Sequence, residues 1–251
     1  MSGDVAGWAI VTTAAVDAPV IADLLGAEVP GLLRYARTLV RDAGQAEDLV
    51  QDTLARALER SGSFRGESSL ATWLHRILHN LTVDESRKRR IDAMDVSDGA
   101  VENAEVLWRD ESYTVDAALV AERAETRRCL HDALLTLPAI YRSAVVLHDA
   151  EGWTMAEIAT VQGIALPAAK QRLRRGRMML VSSLAEPPRG GNGGGSALGC
   201  WEARSRVSDY MDGELSAAER AMLERHLEGC PTCPPLYAGL VAVRAAMRAR
   251  R

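Results

Sequence analysis

Side chains that bind soft metals are concentrated near the end of the 251-residue chain, in the stretch HLEGCPTC. His226, Cys230 and Cys233 lie within eight positions, and the Cys-Pro-Thr-Cys turn brings two thiolates close enough to bind one tetrahedral ion. Two antiparallel helices before the turn would return Cys200 to it as a fourth ligand. The sequence therefore predicts a Cys3His site that holds one zinc ion, with a metal-free redox dithiol as the alternative.

Four protein ligands would close the coordination sphere, whereas hydrolytic zinc chemistry needs an open position. The sequence also offers no convergent acid–base pair, so we expect a protein that is not an enzyme. Four cysteines without an export signal favour the reducing cytoplasm. Asp17 and Asp23 interrupt the N-terminal apolar run, which argues against a membrane span. We therefore expect a cytoplasmic protein with no membrane partner.

A second candidate for chemistry is the basic stretch within GWTMAEIATVQGIALPAAKQRLRRGRMML. Thr154 and Glu157 form a capping box, Gly163 supplies a turn, and Pro167 suits the first turn of a second helix. Residues 168–180 contain five basic residues and no acid. Two helices with a basic outward face are what reading of the DNA major groove requires. A solvated, arginine-rich helix on a bundle is the alternative.

The net charge of −4 excludes a general polyanion binder, so any nucleic-acid role must come from such local patches. Apolar residues follow helical spacing at 32–40, 46–58 and 70–81, and no strand-like alternation is evident. The fold class is therefore predicted to be all-α, with two small helical domains and a small zinc-bound helical C-terminal domain.

Composition divides the chain further. Ten acidic residues and two arginines lie between positions 91 and 126, which is typical of a largely flexible connector, and we expect it to turn helical near Val115. Ser216 and Glu219 form a second capping box in the last block. The predicted parts are an N-terminal extension (1–24), a first helical domain (25–91), an acidic linker (92–124), a helix-turn-helix domain (125–184), a glycine- and proline-rich tether (185–199) and a zinc-binding domain (200–251).

The two helical blocks resemble bacterial RNA polymerase sigma factors of the extracytoplasmic-function (ECF) group, which keeps only regions 2 and 4. The resemblance rests on AEDLVQDTLARAL (46–58), FRGESSLATWLHRILHNLTVDESRKRR (64–90), LPAIYRSAVVLHDAEGWTMAEIA (137–159) and GIALPAAKQRLRRGR (163–177), and covers about residues 25–182. It implies a non-catalytic specificity subunit that binds the β′ clamp and β flap of the RNA polymerase core. Such a subunit also binds promoter DNA and helps to open it.

The resemblance implies roles for individual residues. Asp48, Gln51 and Asp52 match the face that docks on the polymerase clamp, and Asn80, with the loop at 62–69, matches the position that captures an unstacked base of the −10 element. Residues that match DNA-contacting positions are Arg87, Lys88, Arg89 and Arg90 for phosphates, and Lys170, Gln171, Arg172, Arg174 and Arg175 for the −35 element.

Each of these residues also has an interpretation that needs no resemblance. The acidic face could be solvated surface, Asn80 a plain polar residue, and the four basic residues at 87–90 the favourable end of a helix. Trp73 lies on the apolar stripe, so we expect it to pack in the core rather than to stack on a base. Whether Arg174 and Arg175 contact guanine or phosphate stays open.

The recognition helix departs from the family pattern at its start. Ala165, Ala168 and Ala169 stand where the family usually has serine or threonine caps and a β-branched residue. The missing N-cap costs about 1 kcal/mol of helix stability. This departure weakens any assignment of a −35 sequence more than it weakens the fold.

The last block resembles the zinc-binding anti-sigma domain, whose spacing is met at Cys200, His226, Cys230 and Cys233. In that family the domain usually belongs to a separate protein that masks a sigma factor. Its fusion here predicts regulation in cis, in response to metal or redox state. A passive folding unit, a separate anti-sigma partner, and a metal-responsive repressor that acts without polymerase remain alternatives. The acidic face at 47–52 argues against the repressor.

Overall fold

The computed structural model describes residues 18–92, 104–185 and 199–250. The N-terminal extension before position 18, most of the acidic linker (93–103) and most of the tether (186–198) lie outside the described residues. The helices are α1 (Ala18–Leu39), α2 (Ala43–Glu59), α3 (Leu70–Asp92), α4 (104–109), α5 (Ala117–Glu125), α6 (Arg127–Thr136), α7 (Ala139–Val145), α8 (Met155–Gln162), α9 (Leu166–Leu184), α10 (Cys200–Asp212), α11 (Ala217–Gly229) and α12 (Cys233–Arg248). The described residues contain no β-strand, which confirms the all-α prediction.

Helices α1 to α3 form the first domain. The Asp42 carboxylate begins α2 by accepting a hydrogen bond from the Gln45 N–H. The predicted apolar stripes of the three helices meet in one core, and its fully buried members include Leu32, Leu74 and Leu78. Because the stripes face inward, the polar face of α2 remains on the surface.

Helices α6 to α9 form the second domain, in which α8 and α9 are the helix-turn-helix. The capping box of Thr154 and Glu157 begins α8, and Gly163 ends it in the left-handed conformation with φ of 63°. A π-helical turn (Val146–Ala150) follows α7. Gly176 of α9 lies directly against α7. The two helices can approach each other this closely because Gly176 has no side chain.

Helices α10 to α12 form the third domain. The second capping box, of Ser216 and Glu219, begins α11, and Gly213 makes the turn before it with φ of 75°. Helix α12 packs on α5 and α9, and the backbone of Gly239 lies against Val120, Val115 and Val181. The third domain is therefore docked on the rest of the chain.

The first and second domains also share a core. Tyr35 of α1 forms a buried hydrogen bond of 2.7 Å with Ser143, and the Arg142 guanidinium donates to the carbonyl of Leu39. His75 of α3 packs between the rings of Tyr35 and Trp153, with ring centroids 5.2 and 4.5 Å away. Buried apolar residues run continuously through all three domains.

The acidic linker differs from its expected flexibility over its described part, 104–124. Helix α4 and all but the last residue of α5 lie in this part, and Trp108, Tyr113 and Val115 are buried. The physical reason is that residues of this part contact other helices: Trp108 and Tyr113 hydrogen-bond to α9, the Tyr113 ring lies under Arg204 of α10, and Val115 lies against α12. A sequence pattern scored within the linker alone does not reveal that burial.

Candidate metal centre and nucleic-acid interface

The four predicted metal ligands lie together at one end of the third domain. Cys200 begins α10, His226 lies in the last turn of α11, Cys230 follows that helix, and Cys233 begins α12. All four residues are buried, and their candidate ligand atoms lie within 4.8 Å of one another. The helix pair returns Cys200 to the Cys-Pro-Thr-Cys turn, as the sequence predicted.

The donor geometry fits a tetrahedral ion. Cys200 Sγ and Cys230 Sγ are 3.7 Å apart, and neither cysteine forms a disulfide. Two sulfurs bound at about 2.3 Å to one tetrahedral zinc ion would lie about 3.8 Å apart. Three sulfurs and one imidazole nitrogen form a donor set typical of structural zinc sites.

The three thiols differ in the direction in which their surroundings shift the pKa. Burial raises the pKa of Cys200 and raises that of Cys233 to about 12. Burial acts in the same direction on Cys230, but hydrogen bonds from the Thr232 hydroxyl and from the backbone N–H groups of Thr232 and Cys233 lower its pKa to about 6. Three thiolates in this pocket therefore require a cation among them, which a coordinated metal supplies.

The basic residues predicted to contact DNA lie on the outward face of α9, but other parts of the chain cover them. Gln171 is exposed, whereas its four basic neighbours are partly buried. Their contacts are Lys170 Nζ to Glu214 Oε2 (2.6 Å), Arg172 Nη1 to Gln162 Oε1 (3.0 Å), Arg174 Nη1 to the Ser205 carbonyl (3.4 Å) and Arg175 Nε to Glu105 Oε1 (2.5 Å). Three of these four contacts come from the linker or the third domain.

Arg177 forms a buried contact between the second and third domains. It is 4% exposed and donates to Asp149 at 2.6 Å and to Asp212 at 2.7 Å. Burial alone would raise the pKa of Asp149, but hydrogen bonds from Arg177 and His148 lower it to about 2. The Asp149 carboxylate is therefore an anion at neutral pH, and Arg177 joins it to Asp212 of the third domain.

The residues predicted to bind polymerase lie on an open surface. Asp48, Gln51 and Asp52 are all exposed on α2, on the side opposite its buried residues. Asn80 is exposed on α3. Lys88 is exposed near the end of the same helix. The side chains of the other three residues predicted to contact phosphates, Arg87, Arg89 and Arg90, lie outside the described residues.

The loop before α3 forms a cleft whose wall includes a residue of the second domain. Phe64, Trp73 and Arg76 line the cleft together with Thr160 of α8. Trp73 is partly buried against the core and packs against Phe64, with ring centroids 5.3 Å apart and the ring planes tilted by 45°. This position agrees with the expected packing role of Trp73, and it also places the ring at the edge of the cleft.

Sequence reasoning missed the residues that join the domains. Glu105, Asp149, Asp212 and Glu214 pair with basic residues of α9, and Arg204 is buried among linker carbonyls. The one signal in the sequence was the acidic stretch SDYMDGEL, which follows the basic stretch 168–180 and the glycine- and proline-rich segment 185–199. That signal indicates complementary charge but not which faces meet.

Three family models match the chain. Sigma-70 region 2 matches residues 24–91, Sigma-70 region 4 matches residues 127–180, and a family described as "Putative zinc-finger" matches residues 200–233. The first two matches coincide with the first and second domains, and the third includes all four clustered metal-binding residues. None of the described helices combines the length and the hydropathy that a bilayer span requires.

Curated relatives agree with the first two matches. The ECF RNA polymerase sigma factor EcfG of Rhodopseudomonas palustris is 36% identical over 162 residues, which are 64% of this chain and 83% of the relative. SigL of Mycobacterium tuberculosis is 34% identical over 69% of this chain and 93% of its own length. SigG of the same species is 36% identical over 59% of this chain but only 44% of its own length. The chain belongs to the ECF RNA polymerase sigma factors.

One solved structure is also similar. It is the co-crystal structure of the sigma factor RpoE in complex with the anti-sigma factor NepR from Bartonella quintana. The match covers 65% of this chain and 96% of that chain at 28% identity, with a TM-score of 0.47.

Proposed function

We propose that this ECF sigma factor is controlled in cis by its third domain, which covers the DNA-facing residues of α9 until promoter binding or a change in the metal site displaces it. The first domain would dock on the polymerase clamp through Asp48, Gln51 and Asp52, and Asn80 would capture a base of the −10 element. The second domain would contact the −35 element through α9, and the β flap would be its site on the core. The chain would carry out no bond chemistry itself.

One observation carries the proposal of control in cis. To bind promoter DNA, Lys170 and Arg174 would have to reach phosphates or bases. In the structure Lys170 instead donates a hydrogen bond to Glu214, and Arg174 donates one to the Ser205 carbonyl, both in the third domain. The acidic turn that follows α10 therefore takes the place that the phosphate backbone would take. DNA and the third domain would compete for the same cations.

The metal centre supports the same proposal. Cys200, His226, Cys230 and Cys233 would hold one zinc ion, which supplies a closed tetrahedral crosslink between α10, α11 and α12 when bound. The family match at residues 200–233 and the 3.7 Å sulfur separation support this assignment. Loss of metal, or oxidation of the thiols, would loosen the domain that covers α9.

Run-off transcription with purified core polymerase on a genomic promoter library tests the proposal. The test variant is the full-length double substitution Asp209→Asn with Glu214→Gln, because both carboxylates face Lys170. The matched control is Glu228→Gln, an exposed carboxylate of α11. Each exposed ion pair is worth about 0–1 kcal/mol, so we expect about threefold more transcript from the double variant and no change from the control.

Two results would contradict the proposal, at different levels. Equal transcript from the double variant, the control and the natural chain, with and without chelator, would leave the third domain as a passive folding unit. Failure of the natural chain to co-purify with core polymerase would contradict the sigma-factor role itself and favour a repressor that acts without polymerase.

A further inference from the structure

A buried arginine of the third domain binds the backbone of the linker. Arg204 of α10 is 2% exposed. It donates to the carbonyls of Trp108 (2.7 Å), Asp110 (2.6 Å) and Tyr113 (2.6 Å). A buried guanidinium requires compensation for its lost hydration, and here backbone carbonyls provide it. Arg204 thus holds the linker segment 108–114 through hydrogen bonds to its backbone carbonyls.

A threonine inside the metal-binding turn holds the same segment. Thr232 lies between Cys230 and Cys233, and its hydroxyl lies 3.1 Å from the carbonyl of Glu111. The Thr232 carbonyl accepts a hydrogen bond of 3.1 Å from the Thr114 hydroxyl. Since Thr232 belongs to the Cys-Pro-Thr-Cys turn, the position of these two groups depends on the conformation of that turn.

The Thr232 hydroxyl also touches the sulfur cluster. Its oxygen lies 3.3 Å from Cys230 Sγ and 3.8 Å from Cys200 Sγ. The hydroxyl carries one hydrogen, so it cannot donate to the Glu111 carbonyl and to a cysteine sulfur at the same time. A metal ion bound to Cys230 would draw charge from its sulfur and weaken it as a hydrogen-bond acceptor, which favours donation from the Thr232 hydroxyl to Glu111.

The held segment in turn lies along the recognition helix. Trp108 and Tyr113 both hydrogen-bond to Ser182 of α9, at 3.0 and 2.7 Å. Helix α4, which leads into the segment, carries Glu105, the partner of Arg175. Release of the segment would therefore uncover one of the residues that match DNA-contacting positions.

We propose that Arg204 and Thr232 form a carbonyl clamp that captures the linker segment 108–114 when the turn is closed around a metal ion. The clamp makes the linker, rather than the third domain alone, the element that covers Arg175. It deepens the proposed control in cis and rests on it for its effect on transcription. Capture of the segment itself is a separate property with its own measurement.

Hydrogen–deuterium exchange of the full-length protein, read by mass spectrometry on peptides that span 104–116, tests the clamp. In the reduced natural protein, removal of zinc by a chelator is expected to speed exchange in these peptides. Thr232→Val removes the hydroxyl but keeps the β-branched shape, and it is expected to speed exchange about fivefold in the zinc-loaded protein. Zinc content should remain one ion per chain. The matched control is Thr136→Val, because the Thr136 hydroxyl bonds to the carbonyl of Ala133 in its own helix.

A second variant keeps the test decisive. Arg204→Gln removes the guanidinium that reaches the linker carbonyls and changes no metal-binding residue, so it should also speed exchange at 104–116. Unchanged exchange there, either after zinc removal or in Arg204→Gln, would overturn the clamp. So would a loss of zinc from Thr232→Val combined with unchanged exchange in Arg204→Gln. None of these results would affect the contacts of Glu214, so transcription by the Asp209/Glu214 double variant remains an independent test of the proposed function.

Discussion

Arg177 is a single residue on which two domains depend. Its guanidinium binds Asp149 within the second domain and Asp212 of the third, and Arg244 also donates to Asp212 at 3.3 Å. Desolvation of three charges is costly, and mutual pairing offsets that cost. Removal of one member leaves the others buried without their main partner.

We therefore predict that Arg177→Met lowers the free energy of unfolding by about 3–5 kcal/mol, since two carboxylates lose their shared cation. Urea denaturation followed by circular dichroism measures the loss. Adding Asp149→Asn to this variant should recover part of the loss, because one uncompensated charge is removed. A loss of less than about 1 kcal/mol in the single variant would contradict the buried arrangement.

Gly176 is a second residue whose role is set by what surrounds it. A Cβ atom there would lie 2.6 Å from Val145 Cγ2 and 2.8 Å from the Tyr141 carbonyl oxygen. Backbone cannot yield as a flexible side chain can, so Gly176→Ala is predicted to destabilise the chain by about 1–3 kcal/mol. Among the described residues, a Cβ atom at Gly26 of α1 would meet no heavy atom within 4 Å, so Gly26→Ala should instead stabilise the chain by up to about 1 kcal/mol. Thermal unfolding of the two variants should shift in opposite directions.

At the scale of elements, helix α3 carries two buried histidines. Burial, and to a smaller extent repulsion from Arg172 of α9, lower the pKa of His79 to about 4. Burial also lowers the pKa of His75. The unfolded chain takes up a proton on His79 near pH 6.5, whereas the folded chain does so only near pH 4. Between those values the unfolded state binds more protons, so stability falls as the pH falls.

The expected result is a loss of about 3 kcal/mol of stability from His79 between pH 6.5 and pH 4. Stability from this residue is fully present above about pH 6.5. His79→Gln stays neutral and should flatten this part of the profile. Denaturant titrations of both proteins at a series of pH values provide the measurement, and parallel profiles would show that His79 does not titrate as expected.

Elements that depend on local residues could be predicted from the sequence, and contacts between elements could not. The capping boxes at Thr154 and Ser216 begin α8 and α11 as predicted, and Gly163 makes the expected turn. Ala165 begins α9 without a side-chain cap, as its residue type required. Apolar periodicity indicates which face of a helix is buried but not which helix covers its polar face. Only the structure therefore shows that Glu214 and Glu105 cover Lys170 and Arg175.

The candidate site divides in the same way. Cys200 could be placed beside Cys230 because short antiparallel helices leave few alternatives, and three cysteines with a histidine have a narrow range of functions. Arg204 and Thr232 gave no comparable signal, because backbone carbonyls 91 to 121 positions away are their partners. Such contacts depend on the tertiary arrangement of all three domains.

At the scale of the whole molecule, the chain places its own acids over its most basic helix. A net charge of −4 and a basic α9 are compatible because Glu105, Asp212 and Glu214 come from segments outside the second domain. The same arrangement would weaken encounter with DNA, since the phosphate backbone is attracted to uncovered cations. Displacing the acids should therefore change how DNA binding responds to salt.

This change can be measured as a slope. Each phosphate neutralised by a protein cation contributes about −0.9 to the slope of log K against log salt concentration. The Asp209→Asn with Glu214→Gln variant should release Lys170, whose ion pair with Glu214 is lost, and the slope should steepen by about 1. Fluorescence anisotropy with a labelled promoter duplex, selected by run-off transcription, gives the slope for this variant, for Glu228→Gln and for the natural chain. Identical slopes for the three proteins would mean that the cations covered by the third domain do not contact DNA. The proposal that the third domain and DNA compete for these cations would then have to be abandoned.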